Sequence, residues 1–259
     1  MLNSLDKLAE QLVAVGGRTS VAALAIVTGI LMVLFIPPIG VLNGNEEYYF
    51  QLAYSHVHPD FPAGHSAVIG SRGHMLFFLL PFGYLIDAVG YSAAQIVTRL
   101  AIAALYTVAL VRLFRNLGVR VLDALVVLVV FYFFGQQILG GEWLFDGAEA
   151  KSLAYPMLLL AFAFHLEGRA WPAVVAGAVA TYFHFLAGGF WMGLLFLAAL
   201  WSGTPLLTVI RHGVVYTLLC APLLVAVVGS YGSTMVGPPP AADLPPMAWI
   251  TGIFRNASL

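Results

Sequence analysis

Of the 259 residues, 61% are hydrophobic and 9% charged, with a mean hydropathy of +0.93, whereas a soluble domain carries about 25% charged residues. Water cannot hold such a chain, and its 26 glycines and 14 prolines, which would mark disorder in a polar sequence, are tolerated in packed membrane helices. The net charge of −1 and the scatter of the basic residues exclude a nucleic-acid partner, and the single cysteine, Cys220, sits in an apolar run as a small core hydrophobe without disulfide or metal motif.

Residues 1–19 carry Asp6, Lys7, Glu10 and Arg18, unlike the basic start of a cleaved signal peptide. Leu5, Leu8 and Leu12 recur at helical spacing, so this segment is predicted to be a cytoplasmic helix lying on the membrane surface. The run from Ser20 to Leu42 is long enough to cross a hydrocarbon layer of ~30 Å and lacks a cleavage site, which makes it an uncleaved first span. Further spans are predicted at 93–114, 121–137, 151–166, 171–187, 189–201 and 205–228. The apolar stretch 75–89 is short for a crossing, and the positive charges decide its status. If it does not cross, Lys7, Arg18, Arg112, Arg115, Arg120, Arg169 and Arg211 are cytoplasmic and only Arg72, Lys151 and Arg255 lie outside; if it crosses, the balance reverses.

The sequence therefore predicts an all-α, multi-pass transmembrane helical bundle of about seven spans, with 75–89 lying along or dipping into the bilayer. Residues 1–259 form a single integral membrane domain with outer loops at 43–92, 138–150 and 229–259. The last of these holds the stiff stretch from Gly237-Pro238-Pro239-Pro240 to Pro245-Pro246. It stops at Leu259 in a polar loop with no closing helix, the pattern of a truncated or minimal form.

Eight of the twelve carboxylates fall in those outer loops: Glu46, Glu47, Asp60, Asp87, Glu142, Asp146, Glu149 and Asp243. Acidic residues weigh little in topology and accumulate wherever a loop is long, but long loops gathered on one face also carry function. Directly after the first span, Asn45 is placed to cap a helix whose first turn holds Glu46 and Glu47 against the positive dipole end. The same segment offers a carboxylate at the membrane surface as general base on a hydroxyl, its proton affinity raised by apolar surroundings. Glu142, Asp146 and Glu149 share one helical face at i, i+4 and i+7 unless Gly147 breaks the helix. Such a face needs water, a cation from Lys151, Arg72, Arg99 or Arg255, or a divalent metal held by oxygens. His56, His58, His65 and His74 match no zinc spacing. His184 lies among Tyr182, Phe183 and Phe185, and Arg99 about two turns inside its span; polar groups at such depth face the protein interior, and Arg99 needs an anion or carbonyls nearby.

The order of first span, acidic outer helix, basic residue, short apolar juxtamembrane helix and Arg-Leu-bearing span resembles the GT-C class of lipid-dependent membrane glycosyltransferases, such as aminoarabinose transferases and protein O-mannosyltransferases. In that class a first-loop pattern of Asp-Glu-x-x-Tyr-x-x-x-Ala is similar to Asn45-Glu46-Glu47-Tyr48-Tyr49-Phe50-Gln51-Leu52-Ala53. Glu46, Tyr49 and Ala53 match, while Asn45 stands in place of the acid; an amide cannot accept a proton at neutral pH, so the base role passes to Glu46 or Glu47. Arg72, before Gly73-His74-Met75-Leu76-Phe77-Phe78, is similar to the basic residue that contacts the lipid phosphate, and Arg99-Leu100 to the start of the next span. The likeness covers residues 20–120.

The resemblance implies an enzyme of the bacterial inner membrane that moves a sugar from a polyprenyl-phosphate donor to an acceptor on the outer face. Glu46 and Glu47 would be catalytic, and Arg72, Lys151 and Arg255 would bind the donor phosphate. Tyr49, Arg99, Glu142, Asp146, Glu149 and His184 would line the substrate pocket. The partners are membrane lipid, the polyprenyl-linked substrate and a membrane protein partner, with no cofactor beyond the donor and no assigned metal ligands. The rival reading is a non-catalytic membrane scaffold or accessory subunit of a larger complex, its carboxylates merely solvated. A transporter is less motivated, because no span carries a mid-membrane acid.

Overall fold

Apolar runs interrupted by glycine dictate the local structure. The computed structural model describes residues 21–36, 45–58, 76–134 and 147–234, and among them every regular element is a helix. In chain order these are α1 (Val21–Leu34), α2 (Asn45–Val57), α3 (Leu76–Val89), α4 (Tyr91–Asn116), α5 (Val121–Phe133), α6 (Ala150–Leu166), α7 (Ala170–Phe183), α8 (Phe185–Trp201) and α9 (Leu206–Thr234). Two of them, α4 and the Leu206–Gly229 part of α9, are long and apolar enough to cross a membrane. The expectations placed on residues 1–19, Arg72, His65, His74, Glu142, Asp146 and Arg255, on the proline-rich segment and on the side chain of Glu47 lie outside the described residues.

Three helices stop by one device. Gly118, Gly168 and Gly203 take positive φ of 67°, 71° and 83° just beyond α4, α6 and α8. The next amides, of Val119, Arg169 and Thr204, reach back to the carbonyls of Phe114, Phe164 and Ala199, which satisfies helix-end acceptors that water would otherwise have to reach. All three stops fall at one end of the bundle. There Arg112 Nε donates to Glu167 Oε1 at 2.6 Å and Asn116 Nδ2 donates to the Ala163 carbonyl at 2.9 Å, clamping the end of α4 to the end of α6. Arg211 and His212 of α9 lie against Trp171 of α7 at the same end.

Short turns reverse the chain from α4 to α5 and at each step from α6 to α9, and the clamp between the ends of α4 and α6 sets those two helices in one direction, so α4 to α9 alternate. Phe35, just past α1, stacks on Tyr132 at 4.0 Å, so α1 ends where α5 ends and runs opposite to α4, against which it packs. One apolar core joins α1 to α5 and the start of α6, and a second, rich in alanine, joins α6, α7 and α8. α3 differs from the rest: it begins beside the end of α7, where Phe77 meets Tyr182 and Phe183 at 5.1 and 5.4 Å, and it ends at Gly90, where α4 starts. Both its termini therefore lie at the end of the bundle away from the Arg112 clamp. It lies alongside α2 and runs in the same direction, as the pairs Tyr49–Phe78, Phe50–Phe82 and His58–Asp87 require.

The chain breaks between the predicted spans 171–187 and 189–201 at His184 rather than at Gly188. His184 is extended (φ −143°, ψ 100°), and its Nδ1 accepts the Ala187 amide as a cap. Gly188 instead lies inside α8 against α7, where an added Cβ would sit 2.4 Å from the Thr181 Cα. The glycine serves close packing and the histidine makes the turn. His184 is thus a half-buried helix cap, not a group deep in the bundle.

Two expected outcomes follow from this packing. A Cβ at Gly83 would lie 2.3 Å from Val57 Cγ2 and 2.4 Å from the Ala53 carbonyl oxygen. Gly83→Ala should force α2 and α3 apart at a cost of about 1–3 kcal/mol, read as a lower Tm in detergent, and adding Val57→Ala should not restore it because the backbone carbonyl remains. At the other end, hydrogen bonding from Arg112 leads the causes that hold the Glu167 carboxyl down at about 2. With its folded-state value depressed, its stabilisation is complete above the ordinary carboxylate value and is lost as pH falls toward about 2. The Tm difference between the native chain and Glu167→Gln should be present at neutral pH and vanish in acid.

Candidate functional site

Glu46 opens α2 inside the protein, only 1% exposed, and a carboxylate taken out of water must be met by donors. α4 supplies three of them from two residues one turn apart on one face. Arg99 Nε donates to Oε1 at 2.9 Å, Arg99 Nη2 donates to Oε2, and Gln95 Nε2 donates to Oε2 at 3.1 Å. The fourth is the backbone amide of Ala148, which donates to Oε1 at 2.9 Å from just before α6. That amide is free of helix bonding because Gly147 takes φ of 141° and Glu149 is extended at the N-cap of α6. A Cβ at position 147 would stand 3.2 Å from Glu46 Cδ, so glycine is needed for both its dihedral and its bareness.

The same region holds other buried polar groups: Glu149 at 3%, Lys151 at 7%, and Ser152, Thr98 and Tyr106. Two cations, Arg99 and Lys151, are therefore buried with two carboxylates, Glu46 and Glu149. The Ser152 hydroxyl is buried with no hydrogen-bond partner among the described residues.

This geometry changes several expected roles. Glu46 is the expected proton acceptor, but among the described residues at least four donor groups meet its two oxygens and it is closed to solvent, so it holds three segments together rather than facing a substrate hydroxyl. Glu149 is extended at the N-cap of α6, which begins only at Ala150 after the turned Gly147, so it is not itself on a helix; the expected face shared with Glu142 and Asp146 falls on residues outside the described ones. Tyr49 is core, edge-on to Phe78 at 5.4 Å, and His184 is a cap. Arg99 does find its anion, and that anion is Glu46. Of the histidines, His58 bonds Asp87 at 2.8 Å and packs on Tyr54 at the exposed end of α2. Among the described residues, no group of three or more His, Cys, Asp or Glu could hold a metal.

Sequence reasoning missed Gln95 and the Ala148 amide. The first had a visible signal, an amide one turn before a buried arginine; the second had only the glycine that frees it. No protein-family model, curated protein or solved structure matches the chain.

Removing one partner of a buried pair leaves an uncompensated charge, so Glu46→Gln or Arg99→Met should each cost about 3–5 kcal/mol. Replacing both by apolar residues, Glu46→Leu with Arg99→Met, should cost less than the two single changes combined. Unfolding in detergent of the four chains measures this; simple additivity would contradict the pairing.

Proposed function

We propose that the chain is a multi-pass membrane protein in which α1 and α4 to α9 are the spans, with α2 and α3 folded on its outer face as a juxtamembrane pair. The alternation of those seven helices, the return of α3 to the end where it began and the five arginines at the opposite, cytoplasmic end support this reading. On it, the site around Glu46 faces outward, and its activity is transfer of a sugar from a polyprenyl-phosphate donor to an acceptor hydroxyl.

The observation that carries the proposal is the convergence on one carboxylate of the start of α2, the polar face of α4 and the 147–151 segment, all three singled out by their chemistry. A boundary site is what such a donor demands, since its headgroup cannot enter hydrocarbon and its tail cannot leave it. Glu46 is the positioning residue that fixes the start of α2. Glu47, next in sequence, takes the proton as the acceptor oxygen attacks the anomeric carbon and the bond to the lipid phosphate breaks. Lys151 and Arg72 neutralise the departing phosphate. The saturation of Glu46 by four donors also favours a second reading, a non-catalytic membrane subunit in which this cluster only stabilises the fold.

Membranes carrying Glu46→Gln, Glu47→Gln and the double variant, supplied with polyprenyl-linked sugar, separate the two. Transfer should fall by about 10²–10⁴-fold in Glu47→Gln with its Tm unchanged, whereas Glu46→Gln lowers Tm and activity together. Undiminished product from the double variant would overturn the transferase. A stoichiometric partner protein with no bound polyprenyl lipid would establish the subunit.

A further inference from the structure

At the end opposite Glu46, a cavity of about 60 Å³ opens between the end of α6, the start of α7, the end of α8 and the start of α9. Its lining is mostly apolar, Met192 included, with His165, Thr204 and His212 as the polar members; Arg169 and Arg211 stand at its margin, as the sequence neighbours of the lining residues Ala170 and His212. His212 is 9% exposed; its ring stands edge-on to Trp171 at 4.7 Å, and its nitrogens make no hydrogen bond among the described residues. Two guanidinium groups flank this corner. Arg211 lies over the Trp171 ring at 5.3 Å and has no carboxylate partner among the described residues. Arg169 reaches Glu167 only at 3.6 Å, the closer bonds to that carboxylate coming from Arg112.

The charge of this end selects the sign of a ligand. Among the described residues, Arg112, Arg115, Arg120, Arg169 and Arg211 stand here against Asp123 and Glu167. Trp171 and Trp201, 44% and 94% exposed, mark the level where indole rings meet lipid headgroups. Planar guanidinium groups recognise phosphate oxygens in pairs, and a buried imidazole with a threonine hydroxyl beside it offers further hydrogen bonds.

We infer that this corner binds a phosphate group, with Arg169 and Arg211 as its cations and His212 and Thr204 behind them. The chemistry recognised is that of an anionic phospholipid headgroup or of free phosphate. The site is independent of the transferase reading, being built at the other end of the bundle.

The full chain is reconstituted in nanodiscs of phosphatidylcholine, of phosphatidylcholine with phosphatidylglycerol, and of phosphatidylcholine with inorganic phosphate in the buffer. Tm and the lipid retained in native mass spectrometry are read. Phosphatidylglycerol should be retained and should raise Tm in the native chain and in Arg115→Gln, which removes an exposed charge of the same end away from the cavity. Retention should weaken about fivefold for each of Arg169→Gln and Arg211→Gln and roughly thirtyfold for both. Arg211→Lys, which keeps the charge, should bind more tightly than Arg211→Gln. A Tm rise with inorganic phosphate alone, abolished in the double variant, would keep the site and make free phosphate its ligand. No response to either source, or an equal loss in Arg115→Gln, would overturn the proposal.

Discussion

The side chain of Glu46, buried and answered by Arg99, Gln95 and the Ala148 amide, sets the terms for one end of this protein. Taking a carboxylate and a guanidinium out of water costs several kcal/mol per ion, and their attraction offsets that cost only when the remaining hydrogen-bonding capacity is filled. The amide of Ala148 and the carboxamide of Gln95 do that filling. The requirement propagates: Gly147 must be bare and turned, α6 must begin at Ala150, and α2 must enter with its first turn against α4. Few apolar contacts impose register so strictly, because a shift of a single residue would leave a charge without its donors.

The two ends of the bundle solve the problem of charge in different ways. Around Glu46 the described ions are enclosed, Arg99 and Lys151 with Glu46 and Glu149, among side chains almost shut off from solvent. At the other end the pairs are partly open: Arg112 with Glu167, Arg120 with Asp123 at 2.8 Å. Three glycine-terminated helix stops collect there, and among the described residues arginines outnumber carboxylates. Enclosed ions fix geometry, whereas open ions leave charge for a partner. In the proposed membrane setting the first end suits a reaction centre and the second a lipid surface.

Much of the fold was legible in the sequence. The predicted ends at residues 166 and 201 coincide with α6 and α8, since glycine two residues on in each case makes the stop local chemistry. The His184 break was not legible: Gly188-Gly189 is the stronger turn signal, and only the packing of α8 on Thr181 shows that the first of these glycines is needed inside a helix. The site was half legible. Glu46, Arg99, Glu149 and Lys151 were each singled out as groups that need a reason to be where they are, but which would meet which depends on contacts across 53 and 102 residues of chain. Spacing along a helix cannot report that. Apolar surroundings alone suggest a carboxylate waiting for a proton, whereas the arginine, carboxamide and backbone amide that meet Glu46 come from distant parts of the chain.

Hydrogen exchange at the Ala148 amide tests most directly whether Glu46 ties these segments together. This amide precedes α6 and has no helical partner, so in a loop left to water it would exchange within the fastest class. If Glu46 holds it, it exchanges as slowly as the interior of α4 and becomes fast when Arg99→Met loosens the carboxylate. Rapid exchange in the native chain would contradict the arrangement on which both the fold at this end and the proposed reaction centre depend.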